Sequence, residues 1–167
     1  MDARVTKTLN KTLKITLPSD FEIEMSREFD APRHLVFDAM TKPEYVRRWF
    51  GCPEAPMASC EIDLRVGGAY RFVFRGGDGH ETTLEGVYTE VARPDRLVFV
   101  ERFAMPGFTS DEYQVTSTFV EKAGRTTLTT TILHSSKENR DGQLNAGIDK
   151  GVEPAYDRIA ELVATMV

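Results

Sequence analysis

The sequence is poor in the residues that mark most recognisable chemistries. It has two cysteines in 167 residues, too few for the disulfide framework of a small secreted domain. Cys52 and Cys60 stand eight positions apart with no histidine between them. That matches no zinc spacing, so no metal site is expected. The three histidines, His34, His80 and His134, fall in different segments. No glycine-rich stretch runs into Lys-Ser or Lys-Thr, and no GxGxxG occurs. The usual phosphate and dinucleotide cradles are therefore missing, and no cofactor is expected. Without a Gly-x-Ser-x-Gly elbow, acyl transfer has no visible nucleophile. No apolar run approaches the roughly 20 residues that cross a bilayer as a helix, so no membrane insertion is expected. A net charge of −5 opposes a phosphate-binding surface, which sets nucleic acid aside as a partner. The opening Met1-Asp2-Ala3-Arg4 has no apolar signal core, and a cytoplasmic address is the expectation.

What is present is ordinary in bulk. Hydrophobic residues make up 41% and charged residues 28%, the balance of a soluble globular domain. The length suits one domain that buries roughly 70% of its unfolded surface, which leaves room for a cavity in the core. Residues 1–20 read as an N-terminal strand extension and residues 21–167 as a single domain. In the extension, Val5 to Leu17 reads as one strand that ends at Pro18-Ser19-Asp20. Phe21 to Met25 alternates as a second strand. Asp30 is the expected N-cap of a helix that carries Leu35, Val36, Ala39 and Met40. A shorter helix starts at Pro43, holds Tyr45, Val46, Trp49 and Phe50, and stops at Gly51.

From Met57 to Leu133 the pattern is a six-strand antiparallel meander. Its punctuation is Gly67-Gly68, Gly76-Gly77-Asp78-Gly79, Pro94-Asp95, a loop over 104–110, and Ala123-Gly124. Connections this short make neighbouring strands pair in sequence order. Ile148, Val152, Ala155, Tyr156, Ile159, Leu162, Val163 and Met166 then recur at steps of three and four, a wide apolar stripe on one long helix. Pro154 implies that this helix starts just before it or bends there. Residues 136–145 read as a separate turn of helix, divided off by Gly147. The whole predicts an α+β fold in which the long helix covers the concave face of a curved sheet.

Certain stretches add a family likeness. They are Phe29-Asp30-Ala31-Pro32-Arg33-His34-Leu35-Val36-Phe37, Pro43-Glu44-Tyr45-Val46-Arg47-Arg48-Trp49-Phe50-Gly51 and Asp63-Leu64-Arg65-Val66-Gly67-Gly68. Gly86-Val87-Tyr88-Thr89-Glu90-Val91, Pro94-Asp95-Arg96-Leu97-Val98-Phe99 and Asp157-Arg158-Ile159-Ala160-Glu161-Leu162 continue the series. In order and separation they resemble the START-like (SRPBCC) superfamily with its helix-grip, or Bet v 1-like, fold. Within it they resemble the family named for the activator of the heat-shock-protein-90 ATPase. The resemblance implies a cavity between sheet and helix suited to an apolar small molecule. It also implies relatives that include lipid and hormone binders, polyketide cyclases and aromatases, and a co-chaperone domain. The shared motifs are mostly structural, and none supplies an acid, base or nucleophile.

The candidate ligand contacts are Trp49, Phe72, Phe74, Tyr88, Phe99, Glu101, Phe119, Ile132, His134 and Tyr156. By strand parity Tyr70, Phe72 and Phe74 share a face. So do Leu97, Phe99, Glu101 and Phe103, and likewise Tyr113, Val115, Ser117 and Phe119. Such rings either fill a core or line a pocket, and which parity faces inward stays open. Glu101 either points into that apolar space with a raised pKa, or ends its strand in solvent beside an arginine. His134 either meets a ligand or caps a strand end beside the next helix. Arg47-Arg48 offers a cation–π or docking patch, or simply a solvated face. Three functions fit: a binder of a lipid, sterol or polyketide-like molecule, a cyclase using Glu101, His134 and Tyr88, or a co-chaperone. The binder, non-enzymatic, is the reading adopted. The co-chaperone reading expects an additional domain for which this chain has no room, and a homodimer is compatible with all three.

Overall fold

The computed structural model describes residues 7–9 and 13–167. Ten strands form one antiparallel sheet among these residues. They are β1 (Lys7–Leu9), β2 (Leu13–Thr16), β3 (Glu22–Phe29), β4 (Met57–Ile62), β5 (Ala69–Arg75), β6 (Glu81–Ala92), β7 (Arg96–Met105), β8 (Phe108–Thr109), β9 (Tyr113–Lys122) and β10 (Arg125–Leu133). The helices are α1 (Arg33–Thr41), α2 (Pro43–Trp49), α3 (Lys137–Asn145) and α4 (Ile148–Met166). The expected meander is present, and β4 to β7, then β9 and β10, pair in sequence order. The strand before the helices closes the arrangement from the other side. β3 lies along β10, from Thr126 opposite Phe29 to Leu133 opposite Glu22.

Local differences have identifiable causes. Within the expected strand Val5–Leu17, residues 5, 6 and 10–12 lie outside the described residues. The rest forms two short strands, β1 and β2, paired with each other rather than one long strand. Residues 104–110, expected as a loop, fold back as a hairpin, with Ala104 opposite Thr109 and Met105 opposite Phe108. Pro106-Gly107 supplies its turn, and Gly107 has a φ of +79°. Asp30 does not cap α1. It is exposed and pairs with Arg125 at 2.8 Å, while the Glu121 carboxylate on β9 accepts from the Arg33 N–H at 2.9 Å. A carboxylate brought by tertiary structure thus satisfies an N–H that the local sequence leaves open.

Gly67-Gly68 marks a close approach and not a bulge. A Cβ at Gly68 would stand 2.0 Å from the Asp63 carbonyl oxygen. Register shifts fall instead in β4, between Met57 and Ser59, and in β6, between Tyr88 and Glu90.

α4 begins six residues before Pro154 and runs through it with the proline on its exposed face. The stripe is confirmed. Tyr156, Ile159, Leu162 and Val163 are buried, and Ile148, Val152, Ala155 and Met166 pack at the margins. Arg158 turns inward to α2. It donates to the Trp49 and Gly51 carbonyls at 2.9 and 2.6 Å and so satisfies acceptors that the helix end leaves free.

The core divides in two. A larger cluster lies under α1, α2 and the C-terminal half of α4. A smaller one, around Ile15, Ile23, Met25, Tyr113, Val115 and Ile132, lies under the start of α4.

Candidate functional site

One rung of the sheet carries unusual chemistry. Ile62, Tyr70, Gly86, Glu101 and Tyr113 stand opposite one another on β4, β5, β6, β7 and β9. Tyr113 is the direct neighbour of Glu101 and donates its hydroxyl to Oε1 at 2.8 Å. Tyr70 is two strands away, about 9–10 Å at ordinary strand spacing. Its hydroxyl nonetheless donates to Oε2 of Glu101. The bare backbone of Gly86 between them makes this reach available. A Cβ there would stand 2.6 Å from Tyr70 Oη, 2.7 Å from its ring and 2.5 Å from the Val100 carbonyl oxygen. Ring contacts with Phe72, Tyr88 and Phe99, at centroid distances of 5.0–5.4 Å, hold Tyr70 in place.

Glu101 therefore faces inward, its carboxyl held by two tyrosine hydroxyls. Although the residue as a whole is only half-buried, removal of its carboxyl from water pushes the pKa up, and the two hydroxyl donors pull part of that shift back. The tyrosines move in the same direction. Burial and then the Glu101 charge raise both Tyr70 and Tyr113 far above an ordinary phenol. Neither gives up its proton near neutral pH, so both stay donors to Glu101.

A cavity of about 430 Å³ opens beyond Tyr113. Its walls are Phe103 of β7, Phe108 of β8, Tyr113, His134 just after β10, and the α3–α4 junction from Gly142 to Ile148. Phe103 and Phe108 pack with ring centroids 5.5 Å apart, and Tyr113 and His134 at 5.3 Å. α3 covers the cavity through polar ties. His134 Nε2 meets Gln143 Oε1 at 2.6 Å, Asn139 donates to Asp111 at 2.8 Å and Arg140 donates to the Ser19 carbonyl at 2.6 Å. Gly147, at φ +86°, sets the break between α3 and α4. Burial is the larger cause that lowers the pKa of His134, and nearby Arg140 adds to it. The ring is thus neutral at physiological pH. Since an amide oxygen only accepts, Nε2 is its protonated nitrogen. Among the described residues no group of three or more His, Cys, Asp or Glu side chains could hold a metal.

A second hollow, of about 710 Å³, lies on the outer face around Gly86. It is wide open, and its charges face one another: Arg102 and Arg71 approach Glu85 at 2.9 and 3.9 Å.

The ten sequence candidates divide between these surroundings. His134 lines the cavity, and Glu101 stands directly behind its Tyr113 wall. Trp49, Phe72, Phe74, Tyr88, Phe119 and Tyr156 belong to the larger core cluster and Ile132 to the smaller, while Phe99 touches both. Phe50 fills the space around three of them, stacked on Trp49 at 4.8 Å and meeting Phe72 and Phe74 at 5.7 and 5.2 Å. Sequence reasoning missed Tyr70 and Tyr113 as partners of Glu101. The available signal was Gly86, a lone glycine inside a strand, which marks a close approach.

This geometry carries a pH signature. Glu101 holds its proton more tightly folded than unfolded. Between its ordinary value near 4.5 and the raised folded value, the native state binds the extra proton, so stability falls as pH rises through that window. Glu101→Gln should remove this fall, and urea unfolding of both proteins across a pH series measures it as the difference in slope. Parallel stability profiles would mean that the carboxyl is fully solvated.

Comparison with known proteins rests the fold on relatives. Residues 30–164 match the family described as Activator of Hsp90 ATPase homolog 1-like protein. The chain belongs to this family. Among solved structures, a Rhodobacter sphaeroides protein superposes with a TM-score of 0.84 at 24% identity, covering 93% of this chain and 99% of its own. Protein NE0264 of Nitrosomonas europaea gives 0.77 at 20% identity, over 89% and 97%. Ms6760 of Mycobacterium smegmatis gives 0.75 at 25% identity, over 86% and 91%. No curated protein matches the sequence. The Hsp90 ATPase activator-like family and its solved neighbours therefore share the α+β helix-grip fold seen here, a curved sheet closed by a long C-terminal helix. No helix among the described residues is long and apolar enough to cross a membrane.

Proposed function

We propose that this protein binds an apolar small molecule in the cavity beneath the α3–α4 junction. The observation that carries the reading is the cavity itself, about 430 Å³ in volume, walled by Phe103, Phe108, Tyr113, His134 and Ile148. Apolar walls with a few placed polar groups are the usual composition of a small-molecule site. Tyr113 is fixed from behind by Glu101, so the polar end of the site is rigid before a ligand arrives. The sequence reading set the cavity between the sheet and the C-terminal helix, with Trp49, Phe72 and Phe74 among its ten candidate contacts. The proposed site is shifted to the end of the sheet, with His134 as the candidate shared by both. Lipids, sterols and polyketide-like molecules are the classes to test. Stimulation of a heat-shock-protein ATPase, the activity in the family's name, would call on an outer surface and leave this cavity without a role.

Gly142 makes a clean test. It lines the cavity, and a Cβ there meets no atom within 4 Å. Replacing a helical glycine also removes a helix-weakening residue. Gly142→Trp should therefore fold normally and occupy the space. Native protein should bind the uncharged probe Nile red and release it to medium-chain alcohols or sterols, and it should gain thermal stability with those ligands by mass action. Gly142→Trp should do neither. Equal probe binding by both proteins, or none by the wild type, would overturn the proposal.

A further inference from the structure

The Gln143 amide nitrogen is a donor in the cavity's lining, but the other polar groups there are weighted toward acceptors, and this bears on what kind of molecule it takes. Tyr113 commits its only hydroxyl hydrogen to Glu101, so toward the cavity its oxygen offers lone pairs. His134 commits its Nε2–H to Gln143, which leaves Nδ1 an acceptor. Ser110 commits its hydroxyl hydrogen to the Asp111 carbonyl at 2.9 Å. Asp111 and Glu138 add carboxylates at the rim, and no Lys or Arg is among the lining residues. The nearest buried cation, Arg140, is already bonded to the Ser19 carbonyl and to Asp141. Around these acceptors stand the rings of Phe103, Phe108 and Tyr113, whose faces attract cations.

From this we infer that the ligand is an apolar molecule ending in a protonated amine, held by Tyr113 Oη and the rim carboxylates of Asp111 and Glu138. The inference rests on the binding proposal above and narrows it. An ammonium group brings donors to a site stocked with acceptors, and its charge-assisted bonds are the strong kind. An alcohol brings one donor and no charge. A carboxylate brings only acceptors, against two like charges at the rim and with no Lys or Arg among the lining residues to meet it.

Three molecules with the same chain decide the matter: decylamine, decanol and decanoate, each competing with Nile red at neutral pH. Decylamine should displace the probe at a concentration about tenfold or more below decanol, the factor expected of a charge-assisted hydrogen bond. Decanoate should be the weakest. The double variant Asp111→Asn, Glu138→Gln should reduce the amine's advantage over the alcohol by most of that factor and leave decanol unchanged. Glu28→Gln, at an exposed outer-face position, controls for attraction to the chain's net negative charge and should change nothing. Equal displacement by all three molecules would overturn the amine inference while leaving the binding proposal standing, as would an equal loss in the Glu28 control. Displacement of the probe by none of the three would overturn both.

Discussion

Removal of residues 152–167 should leave a chain that cannot reach a cooperative native state. The segment carries Tyr156, Ile159, Leu162 and Val163, which are 6%, 0%, 3% and 1% exposed. Truncating one large buried apolar side chain to alanine typically costs about 2–5 kcal/mol. Four such losses match or exceed the roughly 5–15 kcal/mol that holds a whole domain together. The same cut uncovers Phe29, whose ring meets Tyr156 at 6.0 Å, and removes Arg158 from the end of α2. The expected product is insoluble, or compact without fixed packing, with far-UV circular dichroism retained but no sharp thermal transition. A soluble truncation with a cooperative transition would show that α4 is an appendage to the sheet and not its cover.

The second large effect is expected from a single methyl group. Gly86→Ala places a Cβ 2.5 Å from the Val100 carbonyl oxygen, on the neighbouring strand, and 2.6 Å from Tyr70 Oη. A flexible side chain could swing away, but a strand carbonyl bonded into the sheet cannot. β6 must separate from β7 or Tyr70 must leave Glu101, which strips one donor from a carboxyl that has two. Overpacking of this kind costs about 1–3 kcal/mol, and here backbone and side chain are both hit. A loss near 3 kcal/mol corresponds to a fall in melting temperature of roughly 6–12 °C for a domain of this size. Gly142→Ala is the matched control, because its new Cβ meets nothing, and it should melt at or slightly above the wild type. Two variants that melt alike would refute the close approach of Tyr70 over Gly86.

These two expectations mark what the sequence could and could not show. The α4 stripe is legible because helical periodicity depends on residues three and four apart, all in one segment. Strand faces are legible for the same reason. The alternation at Leu97, Phe99, Glu101 and Phe103 was enough to place Glu101 in phase with apolar neighbours. It was not enough to say whether that phase pointed inward, because the answer depends on Tyr70, 31 positions earlier, and Tyr113, 12 positions later. The cap of α1 failed similarly. Asp30 is a good N-cap by type, but Glu121 arrives from β9 and takes the role. Among Trp49, Phe72 and Phe74, three of the candidate contacts, Phe50 fills the space. No single-segment pattern reports how well rings from different elements interlock.

The most direct measurement is a crystal structure of the wild-type protein grown with decanol, an uncharged ligand whose binding does not depend on the amine inference. The account predicts ordered density for the alkyl chain between Phe103, Tyr113, His134 and Ile148, with α3 closed over it and Glu101 still held by both tyrosine hydroxyls. An empty cavity at saturating decanol, or an alkyl chain seated elsewhere on the molecule, would contradict it.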